Sequence, residues 1–310
     1  FIIRHKSSNI YIHNLCDVVN CFTFETMCYI IKFQADIYQH PYPKYIARIH
    51  RLCLSVLQVI YNYREKRTFV MKNMLNFKNF TAGELMDILN LALDMKKNPE
   101  KYAHALDGKK LYTLFEKTST RTFLSFTTGI TELGGTYYNQ LWKDSNFTLG
   151  EPVSEIKYVC RNVDIIMARL VKNETVELFG DNVTVPFING CDSSYHPCQI
   201  LADALTIIEK FGSLDVKLMY IGAKNNVFNS LVEFFAKMKK GTIYGLTPLV
   251  NNTVCGDDFF EAAKATGHYV ELDPTMSMEE AKKYAKDMDI LYTDTWVDIC
   301  LLYTSDAADE

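Results

Sequence analysis

The sequence predicts an α/β fold built from two doubly wound parallel sheets. From position 110 onward, short apolar runs alternate with amphipathic segments, the pattern of parallel strands covered by helices on both faces. The chain has 310 residues, 48% of them hydrophobic and 23% charged, which suggests a soluble globular protein of about two domains. The formal net charge of −4 argues against nucleic-acid binding, and no apolar run reaches the roughly 18 residues that cross a membrane.

The predicted elements begin with a helix in positions 80–103, where Thr81 and Glu84 form a capping box ahead of an apolar stripe. Strands are predicted at eight apolar runs: KLYTLF, TYYNQL, DIIMARL, TVPFIN, VKLMYIG, GTIYGLT, HYVELD and DILYTDTW. Helices are predicted between them, starting near Ser119, Glu151, Asn173, His196, Asn225, Asp257 and Ser277. We expect one domain at residues 71–205 and another at 206–299, with the boundary inside the helix that follows His196.

Both ends of the chain differ in composition from its centre. All 14 glycines lie between positions 83 and 267, and residues 1–70 hold nine basic residues against four acidic ones. We interpret residues 1–70 as non-native translation from upstream of a true start at Met71 or Met74; a basic targeting presequence is the alternative. Residues 300–310, CLLYTSDAADE, match the translation of a transposase sequencing adapter. We expect them to be an artefact rather than a natural acidic tail.

The cysteines and glycines exclude several other classes of protein. Nine cysteines without a CxxC pair fit a reducing compartment, so we expect a cytoplasmic protein. No Cys/His/Asp cluster with metal-ligand spacing accompanies the site described next, so no metal and no cofactor are expected. A nucleotide-binding dehydrogenase would need GxGxxG after VKLMYIG, where the sequence has Gly222 alone.

The stretch STRT, residues 119–122, places hydroxyl and guanidinium groups at a predicted helix start. A helix N-terminus offers unpaired N–H groups and the positive end of the helix dipole, so it suits a phosphate. Ser119 and Thr120 add hydroxyl donors, and Arg121 adds a planar fork that fits phosphate oxygens. An ordinary Ser/Thr cap, with Arg121 on a solvated face, is the alternative.

Two further strand ends indicate the same edge of the sheet. Only three arginines lie between positions 71 and 299, and one of them, Arg169, ends the strand DIIMARL where ligands of parallel sheets lie. His196 precedes a helix that starts with proline, and Gln199 lies on its first turn. A lone histidine before a helix is usually structural, but beside Gln199 it is a candidate for polarising a carbonyl group.

FEKTSTRT, MAR and HPCQILAD, in this order and spacing, resemble the aspartate/ornithine carbamoyltransferase family, and FEKTSTRT is most similar to its ornithine branch. The likeness runs from about position 71 to position 299. It implies a carbamoyl phosphate-binding domain followed by an amino-acid-binding domain. It also implies subunits that assemble into homotrimers or multiples of trimers.

The resemblance implies a role for each residue of the predicted edge. The phosphate would be bound by Ser119, Thr120, Arg121 and Thr122. The carbamoyl oxygen would be bound and polarised by Arg169, His196 and Gln199, with Thr122. The catalytic set implied in this way is Arg121, Arg169, His196 and Gln199.

The amine substrate is implied by two segments near the end of the chain. GAKNNVFNS carries Asn226 at the ornithine-binding position, and YTDTWVD places Asp294, otherwise a simple turn former, at the α-amino group. Asp298 stands where ornithine enzymes usually have serine, and a second carboxylate favours a more positively charged amine. Phe123 replaces a common arginine, and Thr148 lies near where a neighbouring subunit often offers histidine.

The expected reaction is therefore carbamoyl transfer to ornithine, giving citrulline and phosphate, with putrescine or another amine as the alternative. The family's later cysteine- and arginine-bearing segment would follow position 299, so we expect the second domain to be incomplete and the chain as written to fold poorly and not to turn over. A catalytically silent binding protein on the same fold is the second class of function. The intact STRT, Arg169, His196 and Gln199 set favours the enzyme.

Overall fold

A computed structural model describes residues 2–5, 9–12, 73–250 and 255–294 of the chain. These residues divide into two compact units: the first unit holds residues 73–212, and the second holds the described residues from 213 to 294 together with residues 2–5 and 9–12. The division falls after Gly212, directly behind the helix Pro197–Phe211 in which the sequence predicts the boundary. The domain bounds 71–205 and 206–299 stay predictions.

Strands and helices are numbered along the described residues. The strands are β1 (Ile2–His5), β2 (Asn9–Ile12), β3 (Lys110–Phe115), β4 (Thr136–Leu141), β5 (Ile165–Arg169), β6 (Phe187–Cys191), β7 (Lys217–Lys224), β8 (Thr242–Val250), β9 (Tyr269–Glu271) and β10 (Ile290–Tyr292). The α-helices are α1 (Ala82–Lys97), α2 (Thr120–Glu132), α3 (Pro152–Cys160), α4 (Asn173–Asn182), α5 (Pro197–Phe211), α6 (Asn226–Met238), α7 (Asp257–Ala265) and α8 (Met278–Lys286). Strands β3 to β10 confirm the eight predicted runs, and each predicted helix start is confirmed within one residue.

The first unit contains a four-stranded parallel sheet in the order β4-β3-β5-β6. Helices α3 and α4 contribute Ile156, Val176 and Phe179 to a buried cluster with the strand residues Ile166 and Phe187. Helix α2 lies against β3 and β4, and helix α5 lies against β6 and α1. All of β6 and the first four residues of β5 are buried. Burial of successive strand residues requires cover on both faces, as the predicted doubly wound fold implies.

The second unit contains the parallel strands β10-β7-β8-β9, and β1 and β2 extend this sheet in antiparallel pairing beyond β10. Helix α8 packs Ala281 into a cluster with Met219 of β7. Helix α6 contributes Phe228, whose ring contacts Tyr220 of β7 and Tyr269 of β9. Both units thus have the parallel sheet-and-helix architecture that the alternating pattern predicts.

Several expectations concern residues outside the described part. Asp298, residues 300–310 and most of residues 1–70 lie there, so the non-native origin of the first 70 residues and the artefactual tail stay predictions. Among the described residues, no helix is long and apolar enough to cross a bilayer.

Candidate active site

The N-terminus of α2 forms the first part of the candidate site. Ser119 is the N-cap of this helix: its Oγ accepts a hydrogen bond from the Thr122 backbone N–H at 3.4 Å and donates to Thr122 Oγ1 at 3.1 Å. The first turn of α2 carries no acidic residue. Thr120 and Arg121 are exposed at this end. The positive end of the helix dipole is therefore not neutralised within the helix, which is the condition that an anion site needs.

Arg169 is the last residue of β5, as predicted, and lies beside Phe115, the last residue of β3. Glu116 fixes this strand end twice. Its backbone N–H donates to the Arg169 carbonyl at 2.9 Å, and its Oε2 accepts from the Val171 N–H at 2.6 Å. The Nε atom of Arg169 is buried and donates to no acceptor in the described residues. Burying a donor without an acceptor is costly, so a ligand oxygen here is favoured.

His196 is the N-cap residue of α5, and Pro197 is its first helical residue, as predicted. Its Nδ1 atom is buried. Burial lowers the pKa of His196 to about 3, and the positive charges of Arg169 and Arg121 act in the same direction. The structure therefore brings the two arginines and the histidine together at the carboxyl edge of the sheet. The imidazole is neutral at pH 7, where it donates one N–H hydrogen bond without carrying charge.

Gln199 lies on the first turn of α5, as predicted, but its amide contacts a residue further along the helix. Its Nε2 donates to Oδ1 of the buried Asp203 at 3.1 Å, while its backbone N–H donates to the His196 carbonyl at 3.2 Å. The HPCQILAD segment thus has an internal side-chain contact that orients Gln199. A role for Gln199 at the carbamoyl oxygen stays a prediction.

Sequence reasoning missed Asp192, which lies between the end of β6 and His196. Its carboxylate is buried and accepts hydrogen bonds from the side chains of Asn173 and Asn189 and from two backbone N–H groups. Burial raises the pKa of Asp192, although all four hydrogen bonds oppose this shift. The sequence does contain a signal for it: an aspartate directly before SSYHP, whose side chain can bond the backbone of the next residues and so hold a turn.

In the second unit, Asn226 is the first residue of α6 and Asn225 is its N-cap residue. The side chain of Asn225 makes two hydrogen bonds. The Asn225 Oδ1 accepts from the Phe228 N–H at 3.0 Å, and its Nδ2 donates to Asp294 Oδ2 at 3.0 Å. Asp294 follows β10, and β10 is the parallel neighbour of β7. The ends of two adjacent strands thus bring an amide and a carboxylate together. Sequence reasoning named Asp294 and Asn226 but missed Asn225, whose visible signal was its position as an N-cap.

Positive charge lies at the same edge of the second unit. Lys224 ends β7, forms an ion pair with Glu271 Oε1 at 2.8 Å, and lies 4.1 Å from the centroid of the Phe260 ring. Its side chain is only 12% exposed, so it is held rather than solvated. Lys264 forms a second ion pair with Glu271, at 2.6 Å.

The two substitutions noted in the first domain have ordinary packing roles. The Phe123 ring contacts the rings of Phe115 and Tyr137 edge to face, with centroids at 6.2 and 6.0 Å. Thr148 donates from its hydroxyl to the Ser145 carbonyl at 2.9 Å. Phe123 therefore contributes apolar ring contacts with Phe115 and Tyr137 at this position, where an arginine would contribute hydrogen-bond donors.

Comparison with known families matches both units. Residues 72–209 match the carbamoyl-P binding domain of aspartate/ornithine carbamoyltransferase, and residues 214–304 match the Asp/Orn binding domain. Among similar proteins, the ornithine carbamoyltransferase of Listeria innocua is 37% identical over 230 residues, which cover 73% of this chain and 71% of that protein. The ornithine carbamoyltransferase of Shewanella oneidensis is 38% identical over 242 residues, with 73% and 74% covered.

Solved structures agree with the sequence relatives. Ornithine carbamoyltransferase from Pyrococcus furiosus superposes with a TM-score of 0.66 at 31% identity, covering 77% of this chain and 75% of that one. The anabolic ornithine carbamoyltransferase from Campylobacter jejuni also has a TM-score of 0.66, at 30% identity, covering 76% and 77%.

Proposed function

Because the chain belongs to the aspartate/ornithine carbamoyltransferase family, we propose that it transfers the carbamoyl group of carbamoyl phosphate to the side-chain amine of ornithine, giving citrulline and phosphate. One observation carries the proposal: two arginines and a neutral imidazole meet at the carboxyl edge of the first unit's sheet. The relatives named above are ornithine carbamoyltransferases, which supports the choice of amine.

The phosphate of carbamoyl phosphate binds at the N-terminus of α2. Ser119, Thr120 and Thr122 supply hydroxyl and backbone donors, and Arg121 supplies a planar guanidinium that pairs with two phosphate oxygens. The absence of an acidic residue from the first turn supports this assignment, because a carboxylate there would compete for the same donors. The same contacts stabilise the phosphate as it leaves.

The carbamoyl oxygen lies between Arg169 and His196. As the amine attacks, negative charge develops on this oxygen, and a donor already in position stabilises that charge without reorganisation. The buried Nε of Arg169, which meets no acceptor in the described residues, supports such a role. Removing one donor of this kind costs about 3 to 4 kcal/mol of transition-state stabilisation in other enzymes.

The reaction needs a neutral amine. The nitrogen forms a bond to the carbamoyl carbon and loses a proton, the carbon–oxygen bond to phosphate breaks, and the departing phosphate takes up that proton. In the second unit, the Asp294 carboxylate holds the α-amino group of ornithine, with Asn226 binding the same amino acid. The Asn225–Asp294 hydrogen bond of 3.0 Å supports this role, because it fixes the position of the Asp294 carboxylate at the end of β10.

Two other functions are weighed against this one. Asp298, outside the described residues, would add a second carboxylate beside Asp294 and favour putrescine or another amine. A catalytically silent binding protein would use the same anion site without turnover. The combination of Arg121, Arg169 and His196 favours the enzyme, since phosphate binding alone needs no buried donor beside a neutral imidazole.

We also propose a homotrimer or a multiple of trimers, located in the cytoplasm. Three large hydrophobic side chains of the first unit support a subunit contact: Leu124 of α2 is 49% exposed, and Tyr137 and Tyr138 of β4 are 42% and 54% exposed. Strand β4 is the edge of its sheet, where exposed apolar residues favour association. The cytoplasmic location is supported only by the spacing of the cysteines in the sequence.

Binding and turnover measured together separate these functions. The full 310-residue chain is assayed for carbamoylation of ornithine and of putrescine, and carbamoyl phosphate binding is measured by calorimetry. Citrulline as the product would support the proposal and would overturn the prediction, made from the sequence, that the chain as written does not turn over. Carbamoylputrescine alone would move the assignment to the second amine. Binding without turnover of either amine would fit that prediction of an incomplete enzyme as well as the silent protein.

The variant Arg169→Lys tests the assigned chemistry. It keeps the charge but loses the fixed fork, so we expect kcat to fall about 100-fold or more. Arg161→Lys is the matched control, because Arg161 is exposed at the end of α3 and has no assigned role. Equal turnover by Arg169→Lys and the unmodified chain would remove Arg169 from the mechanism.

A further inference from the structure

Asp192 is a buried carboxylate near the candidate site, and it accepts four hydrogen bonds. Its side chain is 3% exposed. Oδ1 accepts from the backbone N–H groups of Ser194 and Tyr195 at 2.7 and 2.6 Å. Oδ2 accepts from the side-chain amides of Asn173 and Asn189 at 2.8 and 2.9 Å. A buried carboxylate persists in a fold only when donors of this number satisfy it.

These four hydrogen bonds join three segments at the carboxyl edge of the first unit's sheet. Asn189 belongs to β6 and is fully buried, and Asn173 is the first residue of α4, four positions after Arg169. Ser194 and Tyr195 lead directly into His196. The carboxylate thus connects the segment that follows Arg169 with the segment that precedes His196.

The turn from Asp192 to His196 has no regular secondary structure to hold it. Within the turn, the Asp192 backbone N–H donates to the Tyr195 carbonyl at 3.0 Å, while the Tyr195 N–H donates to the Asp192 side chain. The preceding residue, Cys191, has φ of 151°, which non-glycine residues rarely adopt, and its N–H donates to Asn189 Oδ1 at 3.0 Å. A strained entry and an irregular turn keep one conformation only when surrounding contacts enforce it.

We propose that Asp192 is a positioning residue for carbamoyl transfer: by bonding the Ser194 and Tyr195 backbone and the Asn173 side chain, it sets the orientation of His196 relative to Arg169. It does not touch the substrate and acts through His196. The inference rests on the proposed function in one respect only, since carbamoyl transfer is the step in which the orientation of His196 matters.

The test variant is Asp192→Asn, which keeps size but places an NH₂ group against donors where an oxygen accepted them. We expect kcat to fall about 10- to 100-fold, because small misplacements of a catalytic group have effects of this size. The KM for carbamoyl phosphate stays within about threefold, since the phosphate-binding residues on α2 lie outside the network. Asp181→Asn is the matched control, because Asp181 is an exposed carboxylate on α4.

A double variant separates positioning from general damage. If Asp192 acts through His196, adding Asp192→Asn to His196→Ala lowers kcat no further than His196→Ala alone. Fully additive losses overturn the proposal. So does a rise in KM for carbamoyl phosphate with kcat unchanged, because that result would place Asp192 in substrate binding.

A second measurement keeps the test independent of turnover. The imidazole nitrogen signals of His196 are recorded by NMR in the unmodified chain at pH 7 and assigned by their loss in His196→Ala. We expect Asp192→Asn to shift them and Asp181→Asn to leave them in place; an unchanged His196 signal in Asp192→Asn overturns the proposal. Should Asp192→Asn fail to fold, Asn173→Ala removes one donor only and is judged by the same signal. If the unmodified chain carbamoylates no amine, this readout still decides the positioning role, because it does not depend on turnover.

Discussion

Replacing His196 by glutamine should remove a pH dependence of stability that the structure assigns to this one residue. Burial, with Arg169 and Arg121, lowers the pKa of His196 from 6.5 to about 3. A group whose pKa is depressed by folding contributes stability that is fully present above its unfolded pKa. That stability is lost as the pH falls from 6.5 towards 3, because the unfolded chain takes up a proton that the folded chain refuses.

The magnitude follows from the same shift. Each pH unit well below 6.5 costs about 1.4 kcal/mol, so the loss between pH 7 and pH 5 is about 2 kcal/mol. This figure does not depend on the folded pKa being 3, since any folded pKa below about 4 leaves the imidazole neutral at pH 5. Two kilocalories per mole is a large fraction of the stability of a typical domain.

The measurement is urea unfolding followed by circular dichroism at pH 7 and pH 5, in buffers without phosphate. We expect the free energy of unfolding of the unmodified chain to fall by about 2 kcal/mol more than that of His196→Gln. His104→Gln is the matched control, because the His104 side chain is 85% exposed, and it should behave as the unmodified chain does. If His196→Gln loses as much stability as the unmodified chain, the imidazole titrates normally and the argument for a neutral donor fails.

Three further substitutions test other parts of the molecule. Ser119→Ala should cost about 1 kcal/mol of stability through loss of the α2 cap, and it should weaken inorganic phosphate binding in calorimetry. Unchanged phosphate affinity would contradict a phosphate site at the N-terminus of α2. Asn225→Ala should cost about 1 kcal/mol and raise the ornithine KM, because Asp294 loses a donor; an unaltered KM would remove the pair from substrate binding. Tyr138→Lys should dissociate the oligomer in sedimentation experiments while Tyr158→Lys, 66% exposed on α3, should not; equal behaviour would exclude β4 from the subunit contact.

Helix starts were predictable because their signals are local. At Ser119, Glu151 and Ser277, the N-cap side chain accepts a hydrogen bond from a backbone N–H no more than three residues later. A short stretch of sequence therefore contains the whole interaction. The convergence of Arg169 with His196 was predictable for a topological reason. Parallel strands deliver their carboxyl ends to one edge, whatever the details of packing.

Contacts between distant residues could not be predicted in the same way. The Asn173–Asp192 bond joins residues 19 positions apart and needs α4 and the β6 turn in place before it exists. The contact of Gln199 with Asp203, one helical turn away, was not predicted, because nothing in the spacing chooses between a contact along the helix and one towards the site. The pairing of β1 with β10 likewise depends on an open sheet edge rather than on local pattern.

The order of the causes that depress the His196 pKa has a consequence for the bound state. Carbamoyl phosphate brings negative charge to Arg121 and Arg169, which offsets the two electrostatic causes and raises the pKa of the imidazole. Burial is the largest cause, and a substrate that covers the site adds to it rather than removing it. In the proposed mechanism the imidazole therefore acts as a neutral hydrogen-bond donor to the carbamoyl oxygen rather than as an acid. In this mechanism positive charge at that oxygen comes from Arg169, so we expect lysine not to replace it: a point charge without the buried Nε would not meet the oxygen where the charge develops.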